Sequence, residues 1–204
     1  MGPLTEIDEM IRKPAFGINL QANPDGECLR DVKALQDDIE SALPFGSFRI
    51  PGDSLHLSIL PIIWARGNYG PNPETLWDSI KEEIRVDLKS DLEGERTFSL
   101  EAESLMVFPT AIILRLGPHG QLETIRRAFM ATLSKYKLPF SMPDITHSTL
   151  FRFLKTTPFA DIREVVHSVE LPAIQWRVNR VVLSHESVYP SLERRNLEIF
   201  RLVD

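Results

Sequence analysis

The chain has 204 residues, of which 43% are apolar and 25% charged, and its formal charge is −6 at pH 7. This length and composition predict a soluble globular protein and exclude a disordered chain. The negative charge argues against a protein that wraps extended nucleic acid, since such binding needs clustered Lys and Arg.

Hydrophobic periodicity predicts strands and helices in an order that repeats. In the first half, strands and helices alternate over residues 15–21, 29–43, 55–63, 73–86 and 98–108, beginning with a strand. In the second half, the same alternation covers residues 111–116, 121–136, 146–153, 158–169 and 175–188, and an extra strand covers residues 197–203. The repeated order indicates an internal duplication.

A duplication of this kind predicts an α+β protein with two pseudo-symmetric lobes. Each lobe is expected to be an antiparallel-rich sheet with helices on its outer face, and a central cleft lies between the lobes. The lobes cover about residues 14–109 and 110–204 of one bilobal domain, after an N-terminal tail of residues 1–13.

The sequence also bears on location and redox chemistry. No apolar run approaches the roughly 20 residues of a membrane-spanning helix, and residues 1–13 are too acidic for a secretory signal. We therefore expect a cytoplasmic protein that makes no contact with a membrane. Cys28 is the only cysteine, so the chain has no internal disulfide and no thiolate cluster for a metal.

One short pattern, a histidine followed two residues later by a hydroxyl residue, falls in the third element of each half. It occurs there as His56-Leu-Ser58 and as His147-Ser-Thr149. A third match, His185-Glu-Ser187, falls in the strand over residues 175–188 and has no Pro and Asp leading into it. Residues i and i+2 of a strand point to the same face, so each triplet presents an imidazole beside a hydroxyl. Each of the first two triplets also follows a Pro and an Asp, which favour a turn before the strand. We expect the two strands in separate sheets, with both imidazoles in one cleft.

Two histidines and two hydroxyls can open a cyclic phosphodiester without a metal. The reaction needs a base for water, an acid for the departing oxygen, and donors for the phosphoryl oxygens. A histidine pKa near 6.5 lets one ring be neutral while the other is protonated. We therefore predict His56 and His147 as the catalytic pair, in either order, and Ser58 and Thr149 as substrate-binding donors.

In these residues the chain resembles the 2H phosphoesterases, named for two histidines in H-x-T/S motifs on a bilobal α+β fold. The family includes bacterial 2′-5′ RNA ligase-like proteins and plant-type cyclic phosphodiesterases. His147-Ser-Thr-Leu-Phe-Arg152 also fits the longer form H-x-T-L-x-R, whereas Ser58 replaces the commoner threonine of the first motif.

The resemblance implies a phosphodiesterase that needs no metal and no cofactor. Its substrate would be a 2′,3′-cyclic phosphate or a 2′-5′ linked nucleotide or RNA end, as in RNA processing. Family precedent would make His56 the proton donor and His147 the acceptor. The expected partner is a small nucleotide or an oligonucleotide end, bound by a monomer.

Other candidate residues receive smaller roles. We expect no catalytic part for the remaining histidines, which are His119, His167 and His185. Trp64, Tyr69 and Tyr189 are candidates for stacking on a base, although large aromatics are more often core or rim residues. Arg152 is expected at the surface, because its odd offset from His147 points it to the opposite face of a regular strand, and only a bulge would bring it round. Residues 65–73 are left unassigned.

Alternative functions differ in how much sequence support they have. The chain has no phosphate-binding glycine loop, no dinucleotide-binding turn, no H-E-x-x-H and no G-x-S-x-G elbow. The alternative that remains is a non-catalytic nucleotide or RNA-binding module that uses the same cleft. The intact histidine and hydroxyl in both motifs favour the enzyme.

Overall fold

The computed structural model describes residues 2–43, 46–67, 69, 72–117, 119–138 and 143–204. Within these ranges the chain forms four α-helices, which are α1 (Gly26–Ala42), α2 (Pro73–Asp91), α3 (Gly120–Ser134) and α4 (Phe159–Ser168). The strands in the same ranges are β1 (Pro14–Ala22), β2 (Ser47–Arg49), β3 (Leu57–Ile63), β4 (Phe98–Phe108), β5 (Ala111–Leu116), β6 (His147–Phe153), β7 (Gln175–Val178), β8 (Arg180–Val188) and β9 (Glu193–Arg201).

Every predicted element has a counterpart, and three details differ. Helix α2 continues past residue 86, because Ile84 and Leu88 extend its buried stripe by one turn. Strand β2 was not predicted, because three residues are too few to show the alternating pattern of a strand. The strand predicted over 175–188 is two strands, since β7 pairs with β4 whereas β8 pairs with β1 and β9.

The strands form one curled antiparallel sheet in the order β7-β4-β5-β6-β3-β1-β8-β9, with β2 paired to β6. The predicted α+β class with antiparallel-rich strands is confirmed. The expectation that the histidine strands lie in separate sheets is wrong, because β3 and β6 are neighbours joined at Leu57 and Ser148. Periodicity shows which residues share a face, but it does not show which strands pair.

Strand pairing crosses the boundary predicted at residue 109. Strand β4 of the first half pairs with β5 and β7, and strand β8 of the second half pairs with β1 and β9. The last strand of the first half therefore pairs with strands of the second half, and β8 of the second half pairs with a strand of the first. The division into lobes of residues 14–109 and 110–204 stays a prediction.

The helices pack one face of the sheet and create the main core. The buried apolar side chains of α1 and α3 recur at helical spacing and are Val32, Leu35, Ile39, Leu122, Ile125, Phe129 and Leu133. They join Leu57 and Ile59 of β3 and Leu150 of β6 in one hydrophobic cluster. Burial of each such side chain contributes about 1.5–3 kcal/mol to folding. The alternate positions of β3 and β6 therefore face away from the helices.

The segment expected as an N-terminal tail is held against the sheet by backbone hydrogen bonds over residues 2–13. The amide of Thr5 donates to the carbonyl of Thr157 (2.8 Å), and that of Asp8 donates to Phe153 (3.1 Å). These contacts fix Asp8 beside the end of β6. No helix in the described ranges has both the length and the apolar composition needed to cross a membrane.

Candidate active site

A cavity of about 530 Å³ lies on the face of β3 and β6 opposite the helices. All four residues predicted from the two motifs line it, so the structure brings His56, Ser58, His147 and Thr149 together. The other polar and aromatic residues of its wall include Asn19, Trp64, Arg66, Tyr69, Arg152, Glu186 and Tyr189. Its volume is typical of a site for a small ligand.

The pairing of β3 with β6 sets the arrangement of the four motif residues. Because Leu57 lies opposite Ser148, the antiparallel register places His56 across from Thr149 and Ser58 across from His147. Directly opposite side chains have Cβ atoms about 5 Å apart, and diagonal ones about 7–8 Å apart. The two imidazoles therefore lie diagonally across the strand pair from each other, and so do the two hydroxyls.

Both histidine rings are held in the same way. The Nδ1 atom of His56 lies 2.8 Å from the carbonyl oxygen of Ser54, and Nδ1 of His147 lies 3.0 Å from that of Ile145. A carbonyl only accepts hydrogen bonds, so each Nδ1 must carry the proton. In the neutral ring Nε2 is then the free base, and in the protonated ring Nε2–H is the free acid.

The hydroxyl of Ser58 is oriented by a neighbour on β1. The side-chain amide of Asn19 donates to Ser58 Oγ over 2.9 Å, which leaves the hydroxyl hydrogen free to donate elsewhere. Thr149 is half-buried and also lines the cavity. Both hydroxyls are thus placed where they can donate to an anion between the histidines.

Both histidines are harder to protonate than a histidine in water. Burial lowers the pKa of His56 from its ordinary value to about 4, and the positive charges of Arg194 and Arg152 act in the same direction. Burial also lowers the pKa of His147, again with a contribution from Arg152. A charge on His147 lowers the pKa of His56 as well, so the rings interact. The cavity therefore favours one proton or none on the pair until an anion enters.

A β-bulge in each histidine strand brings a further residue into the cavity. In β6, Thr149 pairs with Ile113 and Phe151 with Ile112, so Leu150 is an extra residue. In β3, Ser58 pairs with Gln21 and Leu60 with Leu20, so Ile59 is the extra residue. The two bulges lie at equivalent positions, three residues after each histidine.

The surface position expected for Arg152 is wrong, because the bulge turns its side chain into the cavity. An extra residue inverts the alternation of faces, so the position five residues after the histidine returns to the cavity side. Arg152 and its counterpart in the first strand, Pro61, both line the cavity. The guanidinium of Arg152 therefore lies near both imidazoles.

Comparison with known proteins identifies the family of the chain. The model of the 2′-5′ RNA ligase superfamily matches residues 69–189. The chain belongs to this superfamily. The resemblance to 2H phosphoesterases is thereby confirmed. A comparison with curated protein sequences gives no match.

Several crystal structures share the fold of this superfamily member. A phosphoesterase has a TM-score of 0.65 at 13% identity, with 93% of this chain and 99% of the other covered. Escherichia coli LigT in its apo form has a TM-score of 0.60 at 14% identity, with 94% and 100% covered. The protein TT0787 of Thermus thermophilus has a TM-score of 0.60 at 17% identity, with 91% and 97% covered. These identities support the fold alone.

One end of the cavity in this 2H protein carries a cluster in which only Arg152 belongs to a sequence motif. Asp8 accepts a hydrogen bond from Arg66, and its other carboxylate oxygen lies 3.2 Å from Nη1 of Arg152. Arg66 also donates to the hydroxyl of Tyr189 over 2.8 Å and lies over its ring. Burial raises the pKa of the nearby Glu186, which lines the same end. Spacing gave no signal for Asp8, Arg66 and Glu186, because they come from distant parts of the chain.

The other candidate residues have varied positions. Trp64, Tyr69 and Tyr189 line the cavity, and Trp64 is 57% exposed, but stacking on a base stays a prediction. His119 caps α3 and His185 packs on Phe16, and neither of these lines the cavity. His167 lies exposed on α4. In the unassigned stretch, residues 65–67 and 69 line the cavity, and residues 68, 70 and 71 lie outside the described ranges.

Proposed function

We propose that this 2H protein is a metal-independent phosphodiesterase. Its substrate is a 2′,3′-cyclic phosphate or a 2′-5′ linked nucleotide or RNA end, and His56 and His147 are the acid–base pair. The observation that carries the proposal is the matched pair of imidazoles in one cavity, each with its Nε2 free because a backbone carbonyl accepts from Nδ1.

The reaction follows from the protonation states of the pair. One neutral Nε2 takes a proton from water as the water oxygen attacks phosphorus. The bond from phosphorus to the leaving oxygen breaks, and the other ring gives its Nε2 proton to that oxygen. Ser58, Thr149 and Arg152 donate to the phosphoryl oxygens, on which charge accumulates. Proton exchange with water restores the starting states.

The substrate class has further support from structural relatives. E. coli LigT has been crystallised with 3′-AMP, with NADP+ and with ATP, so a protein of this fold holds small nucleotides. The cavity volume suits one nucleotide or an oligonucleotide end rather than extended nucleic acid. A monomeric state, a cytoplasmic location and a part in RNA processing stay predictions.

A substrate panel tests the proposed function. We expect cleavage of at least one 2′,3′-cyclic nucleotide or 2′-5′ dinucleotide, with 3′,5′-cyclic and 3′-5′ linked compounds as matched controls. Products are identified by mass and by phosphorus NMR. A chelator should leave the rate unchanged, because the side-chain donors take the place of a metal.

Two results of the panel would change the proposal. If nothing is cleaved yet nucleotide binds in a histidine-dependent way, the protein is a binding module. If a chelator abolishes cleavage and added metal restores it, the metal-independent mechanism is wrong.

The lowered histidine pKa values predict the pH dependence of kcat/KM. This quantity reports the free enzyme, which must hold one neutral and one protonated ring. Rising pH removes the remaining proton, and both pKa values lie below the ordinary 6.5. We therefore expect kcat/KM to fall above about pH 6.5, and kcat to fall at higher pH, because the bound anion stabilises the imidazolium. The profile is measured with a uridine substrate, because its base and its diester do not change charge in this pH range and so add no titration of their own. A kcat/KM that stays constant up to pH 8 would contradict this pKa assignment.

A further inference from the structure

The two histidine strands share little direct backbone pairing. In the described parts of β3 and β6 the register contains one pair, Leu57 with Ser148. Beyond this pair β6 continues against β2 over residues 151–153, and direct pairing with β3 does not resume in the described residues. Buried carbonyls need hydrogen-bond donors, and two buried side chains donate to carbonyls on either side of the pair.

On one side of the pair, Arg126 of α3 supplies the donors. Its side chain is 2% exposed. Its Nε donates to the carbonyl of Ile59 (3.0 Å) and its Nη2 to that of Ser58 (3.3 Å). Its Nη1 donates to Oγ1 of Thr146, the residue before His147, over 2.9 Å. Arg126 thus connects the first motif to the start of the second.

On the other side, Gln36 of α1 has the equivalent role. It is fully buried, and its Nε2 donates to the carbonyls of Ile50 and Leu150, each over 3.0 Å. The Leu150 carbonyl also accepts from the amide of Ile50 (3.0 Å), so Gln36 supports a direct backbone contact. Ile50 precedes the turn that leads to His56, and Leu150 follows Thr149. Gln36 thus connects the end of the second motif to the approach of the first.

The two contacts repeat the duplication of the chain. Each donor comes from the first helix of one half and reaches the bulge residue in the histidine strand of the other half, Ile59 or Leu150. Neither Arg126 nor Gln36 lines the cavity, so neither touches a substrate there. Both lie on the opposite face of the strands.

We propose that Arg126 and Gln36 are positioning residues that set the distance and angle between the two histidine strands. The inference rests on the proposed function, because it concerns the geometry of the acid–base pair. Because β3 pairs directly with β6 at a single position of the described residues, side-chain contacts on either side of it carry much of the connection. A misplacement of about 1 Å in a catalytic group lowers a rate by about 10²-fold.

Matched substitutions test the proposal in the full-length protein. Arg126→Lys and Arg126→Met are compared with Arg127→Lys and Arg127→Met, since Arg127 is the next residue of the same helix and is exposed. Gln36→Glu, which keeps the shape and removes the Nε2 donors, is compared with Gln121→Glu on α3. We expect kcat to fall about tenfold or more in the Arg126 and Gln36 variants that fold, with KM changed less than threefold. The controls should stay within twofold of wild type.

A double-mutant cycle separates positioning from simple destabilisation. If Arg126 acts through the histidine pair, Arg126→Lys has little further effect in a His147→Ala background. An equal loss in both backgrounds overturns the proposal, as does a kcat within twofold of wild type in folded Arg126→Lys and Gln36→Glu. If Arg126→Met fails to fold, the lysine and glutamate variants decide the result.

Binding of inorganic phosphate, followed by histidine NMR, distinguishes this proposal from the proposed function. If the wild type cleaves nothing in the panel, the proposed function fails. Phosphate affinity should still be about tenfold weaker in Arg126→Lys than in Arg127→Lys. Equal affinities in these two variants overturn the positioning role.

Discussion

We expect His56→Ala and His147→Ala each to lower kcat on a cleaved substrate by about 10²-fold or more, the scale of general acid–base catalysis. Each substitution removes one Nε2 from the cavity, so either the proton acceptor or the proton donor is lost. Turnover is measured at the optimum of the wild type. His167→Ala is the matched control, because His167 is exposed on α4 and does not line the cavity.

The hydroxyl residues give a graded comparison for the histidine variants. Ser58→Ala and Thr149→Ala each remove one hydrogen bond to a charged oxygen, worth about 1.5–3 kcal/mol. Their losses should therefore be smaller than those of the histidine variants. Full activity in either single histidine variant would show that the catalytic pair is misassigned.

We expect Asp8→Ala to lower the free energy of unfolding by about 3 kcal/mol. Removing one partner of a buried ion pair leaves charge without compensation, which costs about 3–5 kcal/mol. The side chain of Asp8 is 1% exposed, but those of Arg66 and Arg152 are 28% and 16% exposed, so the lower end of this range applies. Urea unfolding of the variant and the wild type measures the difference.

Glu9→Ala is the control for Asp8, since Glu9 is exposed on the same segment. It should change the free energy of unfolding by less than about 0.5 kcal/mol, as is usual for surface substitutions. A change below about 1 kcal/mol for Asp8→Ala would show that the N-terminal segment does not anchor the two arginines. The cluster would then have no structural role in the cavity.

The sequence predicted those parts of the site that depend on local spacing. His56 and Ser58 share a face because strand residues alternate, and the same holds for His147 and Thr149. The repeated order of elements also indicated that the two motifs come from equivalent strands. Both predictions require only the two-residue alternation of a strand and the order of the elements along the chain.

The remaining features of the site depend on contacts between distant segments. The bulge at Leu150, which turns Arg152 into the cavity, is a property of the pairing with β5 and leaves no mark in the spacing. Asp8 reaches the site only because residues 2–13 bind the edge of the fold. The direct pairing of β3 with β6 likewise follows from sheet closure, which periodicity does not describe.

The measurement that tests the paired action of the histidines most directly is the kcat of the double variant His56→Ala/His147→Ala. If both rings act on one phosphate in one step, the loss of either ring disables the pair, and the double variant is little slower than a single variant. If the rings act independently, two losses of about 10²-fold multiply, and the double variant is about 10⁴-fold slower than the wild type. Paired action predicts the first result, and the second would contradict it.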